Sequence, residues 1–404
     1  MKAHSQKYQA KREDILQAAT RIINNSGLKG MLISDVAARL NLAPTSVAYY
    51  FKTKEKLAAA CYMRAIETYM ELISSAAALP TLEKRLSHLV QAFFHTMQRI
   101  EEGEAKPIVV FEDLRALGEG DVFKAYVSMF LALRNLLVPD SSPAPDKTRI
   151  NAQTHWVLMN FLFAQVWLQA YHPSNFGRAA VNFEGVLLNG IGKQRRKWAP
   201  HPLPVESLIA PAETQQREIF LRAATRLISL NGYRGASVEN IVAELDVTRG
   251  AFYHHIDFKD DLIETCYARS CDTIRLAQEA AQQLTADSRA RLEAIVANLV
   301  QRQFVGENQM LRIVFISVPE AMKRRIELMN RPNETHFLSL LSDGLADGSV
   351  RSVDVLIAAN MLSCTLNACV ELSLGNWLPS PLSDRASEHY LRPLFEGLLH
   401  CSSD

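Results

Sequence analysis

The apolar residues recur at helical spacing almost from the start of the chain. Ile15, Ala18, Ala19, Ile22 and Ile23 fall at i, i+3, i+4, i+7 and i+8, which gathers them on one stripe of an α-helix. Gly27 follows as a stop. Val36, Ala37 and Leu40 form the inward face of a second, short helix near Ser34–Leu40. A tight turn at Asn41-Leu42 separates it from a third near Pro44–Tyr50. Pro44 suits the first helical turn, where its missing N–H would have no partner anyway. Lys54 opens a longer fourth helix. Beyond it, Leu82–Arg99, Asp121–Leu137, Thr148–Tyr171, Asn175–Arg196, Ser288–Phe304, Val353–Leu374 and Ser383–Leu399 keep the same period. No alternating run of strand length appears in the sequence, so the pattern predicts an all-α protein.

The pattern also repeats. REDILQAATRIINNSGLKG begins at Arg12, and REIFLRAATRLISLNGYRG begins at Arg217, an offset of 205 positions. The match runs without a gap from Arg12–Arg64 onto Arg217–Arg269, with about 17 of the 53 pairs identical. A period of this length is a domain rather than a solenoid unit, so the chain reads as a tandem duplication of a protein of roughly 200 residues. The second copy repeats the apolar stripe as Phe220, Ala223, Ala224, Leu227 and Ile228, and the short inward face as Ile241, Val242 and Leu245. Its turn is Asp246-Val247 and its third helix lies near Arg249–His255. Ser237 and Thr248 are N-cap candidates in this copy, whereas Leu32 offers the first copy no cap. Between the copies, Gly192–Gln216 holds four prolines and cannot be one continuous helix. A second proline-rich stretch, Val138–Lys147, joins two helices. The expected organisation is a head at 8–68, a helical body at 69–198, a linker at 199–212, a second head at 213–273 and a second body at 274–404.

Composition narrows the class. The chain has 404 residues, 48% hydrophobic and 22% charged, with a formal net charge of +1. That is too long for one average domain and ordinary for a globular protein. Met1–Arg12 is polar and basic, unlike a secretory signal. Val157–Tyr171 is the most apolar run, but it is short and interrupted by Asn160, Gln165 and Gln169, so a buried helix is expected and no membrane span. Six cysteines without a CxxC spacing point to a reducing, cytoplasmic home with no metal or other cofactor. The sequence holds no dinucleotide fingerprint, P-loop, nucleophile elbow or HExxH, so no enzyme is expected.

ISDVAARLNLAPTSVAYYFKTKEKL at Ile33–Leu57 and VENIVAELDVTRGAFYHHIDFKDDL at Val238–Leu262 resemble the helix-turn-helix of the TetR family of bacterial regulators. Both copies depart from the family pattern. Asn41 and Asp246 stand where the turn usually has glycine, although both tolerate left-handed backbone. Ala48 replaces a usual tyrosine, and Ile256 a usual phenylalanine. The resemblance implies a three-helix DNA-binding head on a helical ligand and dimerisation body. Two family subunits normally pair, and one chain here supplies both. The expected protein is therefore a covalent pseudo-dimer acting as a ligand-responsive repressor on an imperfect palindrome of double-stranded DNA. Whether two such chains pair further stays open.

By the same resemblance the third helix enters the major groove. In the first copy it places Thr45, Ser46 and Tyr49 near bases, with Tyr50 and Lys54 on phosphates. In the second, Thr248 opens the helix, Arg249 faces bases and Gly250 allows close approach, with Tyr253, His254 and Lys259 on phosphates. Arginine offers guanine a bidentate donor pair. The heads differ in charge. Lys11–Arg64 holds nine basic and four acidic residues, a balance of +5, and Gln216–Arg269 seven and eight, a balance of −1. Phosphate contacts dominate non-specific affinity, so the first head is expected to be the salt-sensitive anchor. A rival reading is an interaction protein whose second head no longer binds DNA. For a small-molecule inducer, the resemblance points to Phe94, His95, Trp156, Phe163 and Trp167 in the first body, and more weakly to Phe304, Phe315, Met361 and Trp377 in the second.

Overall fold

The apolar stripes fold as helices, and the polar residues between them cap or break those helices. The computed structural model describes residues 2–111, 120–138, 146–193, 196, 198–204, 215–235, 238–244, 259–305, 310–311, 318–374 and 385–401. The first unit is α1 (Lys2–Gly30), α2 (Ile33–Arg39), α3 (Pro44–Tyr50), α4 (Lys54–Ala77), α5 (Leu82–Glu101), α6 (Asp121–Leu137), α7 (Lys147–Trp167) and α8 (Phe176–Asn189). The second is α9 (Gln215–Gly235), α10 (Val238–Glu244), α11 (Lys259–Gln282), α12 (Ser288–Val305), α13 (Glu320–Asp347), α14 (Val355–Leu374) and α15 (Ala386–Glu396). Among the described residues there is no strand, only an isolated bridge between Gly192 and Val350.

Gly27 interrupts α1 with φ 70° and ψ 167°, a conformation that suits glycine. The kink turns Leu28 and Met31 into the core. Leu32 precedes α2 without a side-chain cap, whereas Thr53 and Thr81 accept the N–H of Lys56 and Lys84 at the starts of α4 and α5. α4 runs from the head into the body, where it packs on α5 and α6. The first body is filled by rings: Phe93, Phe94, Phe161 and Phe183 meet at centroid distances of 5.0–5.5 Å.

The expected buried helix is α7. Every residue from Ile150 to Leu162 is buried, because α7 packs on α6 in its own unit and on α14 and α15 of the other. Trp156 sits on that boundary, and its Nε1–H donates to Thr365 Oγ1 at 2.9 Å. α8 also packs on α14 and α15. The helix foreseen to Arg196 stops at Asn189, since Gly190 turns with φ 67° and the chain then pairs with the other unit. Ile191 and Gly192 N–H donate to the carbonyls of Leu394 and Phe395 at 2.9 and 2.8 Å. Reciprocally, Leu398 and Leu399 N–H donate to Leu187 and Leu188 at 3.0 and 3.2 Å. Gly190 and Gly397, with φ 67° and 78°, occupy matching places in this exchange. A Cβ on Gly190 would lie 2.3 Å from the Phe395 carbonyl carbon, and one on Gly397 2.2 Å from the Leu188 oxygen. Nearby, Arg196 pairs with Asp287 at 3.0 Å and with Glu293 at 3.1 Å, and buried Arg289 pairs with Glu293 at 2.7 Å. No helix of the described residues is long and apolar enough to cross a membrane.

Candidate nucleic-acid interface

The first head presents α3 through a left-handed turn. Asn41 has φ 51°, as its place in the turn requires, and Leu42 N–H closes the loop onto Ala37 O at 2.9 Å. Val47 is fully buried and anchors α3 to the core, and Phe51 ends the helix in a buried site. With the inward side held by Val47, Thr45, Ala48 and Tyr49 point out, and Ser46 and Tyr50 are half-buried. Tyr49 is 72% exposed, a large side chain offered to solvent where a helix-packing residue would be covered.

The rings around α3 support one another. Tyr8, from the N-terminal part of α1, lies 4.8 Å from Tyr50 and 6.2 Å from Tyr49, and Tyr49 is 5.3 Å from Tyr50. The Arg12 guanidinium stands 5.0 Å over the Phe51 ring. α1 therefore runs a basic, aromatic flank beside α3, with Lys7 exposed and Lys11 and Arg12 half-buried. Sequence reasoning missed Tyr8, whose contact depends on how α1 crosses α3. Lys54 Nζ donates to Lys29 O at 3.0 Å and so ties α4 to the end of α1.

Each head is anchored by the same arginine–glutamate pair in both copies. Arg64 reaches Glu13 at 2.5 Å, Thr20 Oγ1 at 2.8 Å and Pro107 O at 2.7 Å. Arg269 pairs with Glu218 in the matching place. The Cys61 thiol faces Leu16 O and the Cys266 thiol faces Leu221 O, each at 3.7 Å. Burial pushes both thiols up to about 11. For Glu218, burial pushes the carboxyl up, but hydrogen bonds from Arg269 and Arg222 outweigh it and hold the group below its ordinary range. Identity of these pairs in the two copies was the signal by which sequence could have found them. Thr248, Arg249, Gly250, Tyr253 and His254 lie outside the described residues, as does Ser237. Lys259 is the first residue of α11.

A cavity of about 780 Å³ lies between the units, walled by the ends of α1 and α7 and by α11, α13 and α14. Of the five ligand candidates in the first body, Phe163 and Trp167 line it. Phe94 packs behind Trp167, with centroids 6.1 Å apart. Trp156 belongs to the α7–α14 contact, and His95 is on the exposed face of α5. In the second body Phe304 is half-buried and Met361 buried, while Phe315 and Trp377 lie outside the described residues.

The model of the family described as bacterial regulatory proteins, tetR family, matches twice, at residues 15–61 and 220–266. Those spans contain the segments Ile33–Leu57 and Val238–Leu262. No curated protein matches the chain. Among solved structures, the transcriptional regulator FadR from Bacillus subtilis in complex with stearoyl-CoA is 18% identical, covers 45% of this chain and 98% of its own, and has a TM-score of 0.35. AibR in complex with isovaleryl coenzyme A and operator DNA is 20% identical over 45% and 98%, with a TM-score of 0.38. The TetR family regulator PfmR from Thermus thermophilus is 20% identical over 44% and 98%, with a TM-score of 0.34.

Proposed function

Given that the chain is a DNA-binding transcription regulator of the TetR family, built as a tandem of two family units, we propose that it acts alone as a covalent pseudo-dimer on an operator with two unlike half-sites. The observation that carries this reading is the reciprocal exchange of backbone hydrogen bonds between 187–192 and 394–399. In an isologous interface each contact is met again with the roles reversed. Four bonds and two positive-φ glycines obey that rule within one chain. Together with α7 and α8 packed on α14 and α15, they join the two units of one chain, which supports the pseudo-dimer reading.

The half-sites are unlike because the heads are. The first head offers Thr45, Ser46 and Tyr49 to bases, with Tyr50, Lys54 and the basic flank of α1 on the backbone. The second offers Arg249 and Gly250 with Tyr253, His254 and Lys259, on a surface with a balance of −1 against +5. The first supplies salt-sensitive affinity, and the second selectivity. The protein is a repressor that a small molecule releases. Ligand and DNA are coupled only as far as the ligand prefers one arrangement of the heads over the other.

Sequencing genomic fragments captured by the purified full chain tests the reading. The expected operator has two different half-sites about one helical turn apart or somewhat more. A perfectly symmetric operator contradicts it. Capture of no specific DNA supports the rival reading, an interaction protein with a disabled second head.

A further inference from the structure

The inter-unit cavity is built unlike a core. α13 faces it with Glu320, Lys323, Glu327, Asn330, Glu334 and Phe337, spaced by threes and fours along one line of the helix. α14 faces it with Asn360, Ser363 and Asn367 on the same spacing. A helix pair packed only for stability carries apolar residues along such lines. Here polar residues stand along those lines beside Phe337, Cys364, Leu366 and Val370, and the space between is open, so the lining is amphiphilic. The far wall is aromatic, with Phe163 and Trp167 at the end of α7.

We propose that this cleft is a single effector site serving both heads of the chain, and that its ligand is an amphiphilic organic cation. The inference rests on the ligand-responsive reading above and gives it a place and a chemistry. A volume of about 780 Å³ suits one drug-sized molecule. Among the described lining residues there are three carboxylates and one cation, Lys323, which lies 3.8 Å from Glu320. Glu334 accepts the Asn330 amide at 2.6 Å and is held toward the cleft by it. An anionic ligand meets like charge there. A cation meets Glu327 and Glu334 on one side and the aromatic side chains of Trp167 and Phe163 on the other, both of which favour positive charge.

The walls connect to both heads. Asn24, on α1 just before the Gly27 kink, lines the cleft, donates to Ile108 O at 2.9 Å and accepts from Val110 N–H at 3.1 Å. Val110 lines it too, so the cleft wall is hydrogen-bonded directly to α1 of the first head. On the other side, α11 extends from the second head, and its Ser270 and Cys271 line the cleft. Ser270 Oγ accepts from Leu311 N–H at 2.8 Å, and Cys271 O accepts from Asn333 Nδ2 at 3.0 Å. A molecule seated between α7, α11 and α13 spreads elements that belong to different heads. One ligand thus changes the spacing of two.

Tetraphenylphosphonium and tetraphenylborate, alike in shape and opposite in charge, test this on the full chain by titration calorimetry. In about 0.01 M salt the screening length is about 30 Å, so exposed carboxylates still act. The cation is expected to bind once per chain, at least about tenfold tighter than the anion. The double variant Glu327→Gln/Glu334→Gln should lose most of that preference. Both residues are exposed on a helix, so the variant should fold, and thermal melting checks it. Equal or tighter binding of the borate, two sites per chain, or no saturable binding of the cation overturns the site. In a separate arm, operator affinity is measured with and without the phosphonium. A shift supports the coupling. No shift despite tight binding overturns the coupling and the ligand-responsive reading while leaving the site in place.

Discussion

Asn41 occupies a left-handed turn that glycine would enter without cost, and its φ of 51° bears out the tolerance read from its side chain. Asn41→Ala should therefore cost about 1 kcal/mol in thermal or denaturant unfolding, and Asn41→Gly little or nothing. A larger loss for glycine than for alanine would mean that the Asn41 side chain, not its backbone, holds the turn. The outward residues of α3 were legible as a set, because one buried position, Val47, decides which of its neighbours face out. Tyr8 was not, since nothing in a local pattern says which residue of α1 will lie under Tyr50. Tyr49→Ala should weaken operator binding with little change in melting temperature, as its ring is 72% exposed. Lys54→Ala and Lys259→Ala, compared by gel shift across a salt series, should differ. The first variant should lose more affinity and flatten the salt slope more, because its head carries the larger positive balance. Equal losses with equal slopes would remove the proposed division of labour.

At the scale of elements, periodicity located most helices to within a turn or so. Two failures are instructive. α13 runs for 28 residues yet escaped notice, because Pro332 lies inside it and one of its faces is polar. Proline removes a backbone hydrogen bond and usually ends a helix. Here Asn333 is bound on both sides by α11, through Cys271 O and Gln278 Nε2, and the helix continues through the break. The polar face belongs to the cleft, while Met322, Ile326, Leu340 and Leu341 form a buried stripe that the proline divides in the sequence. α8 failed the other way: its sequence stays helical past Asn189, but bonds to 394–395 hold the chain in another conformation. The heads hang on paired arginines, which makes the second head pH-sensitive. Glu218 is held below its ordinary range, so its contribution to stability is present above the unfolded value, about 4.3, and fades as pH falls through the lower folded value. Glu218→Gln should abolish that acid-dependent part of the unfolding of α9 and α11, followed by hydrogen exchange. An unchanged acid profile in the variant would show that other carboxylates carry it.

For the whole molecule, the duplication was plain from the repeat, and the closure of its two halves was not. Alignment of the copies weakens after Arg64 and Arg269, and the surfaces that pair lie far beyond those points. The glycines at 190 and 397 were invisible as a pair until the backbone exchange related them. Gly190→Ala and Gly397→Ala each force a Cβ onto opposing backbone and strain a positive φ, so each should cost at least about 2 kcal/mol, and by similar amounts. By the proposed function, one chain reads DNA with two heads. The mass of the operator complex, measured in solution by sedimentation or native mass spectrometry, tests it most directly. One chain on one operator carrying both half-sites is expected, with half-site mutations acting unequally. A complex that forms only with two chains on that operator would contradict it.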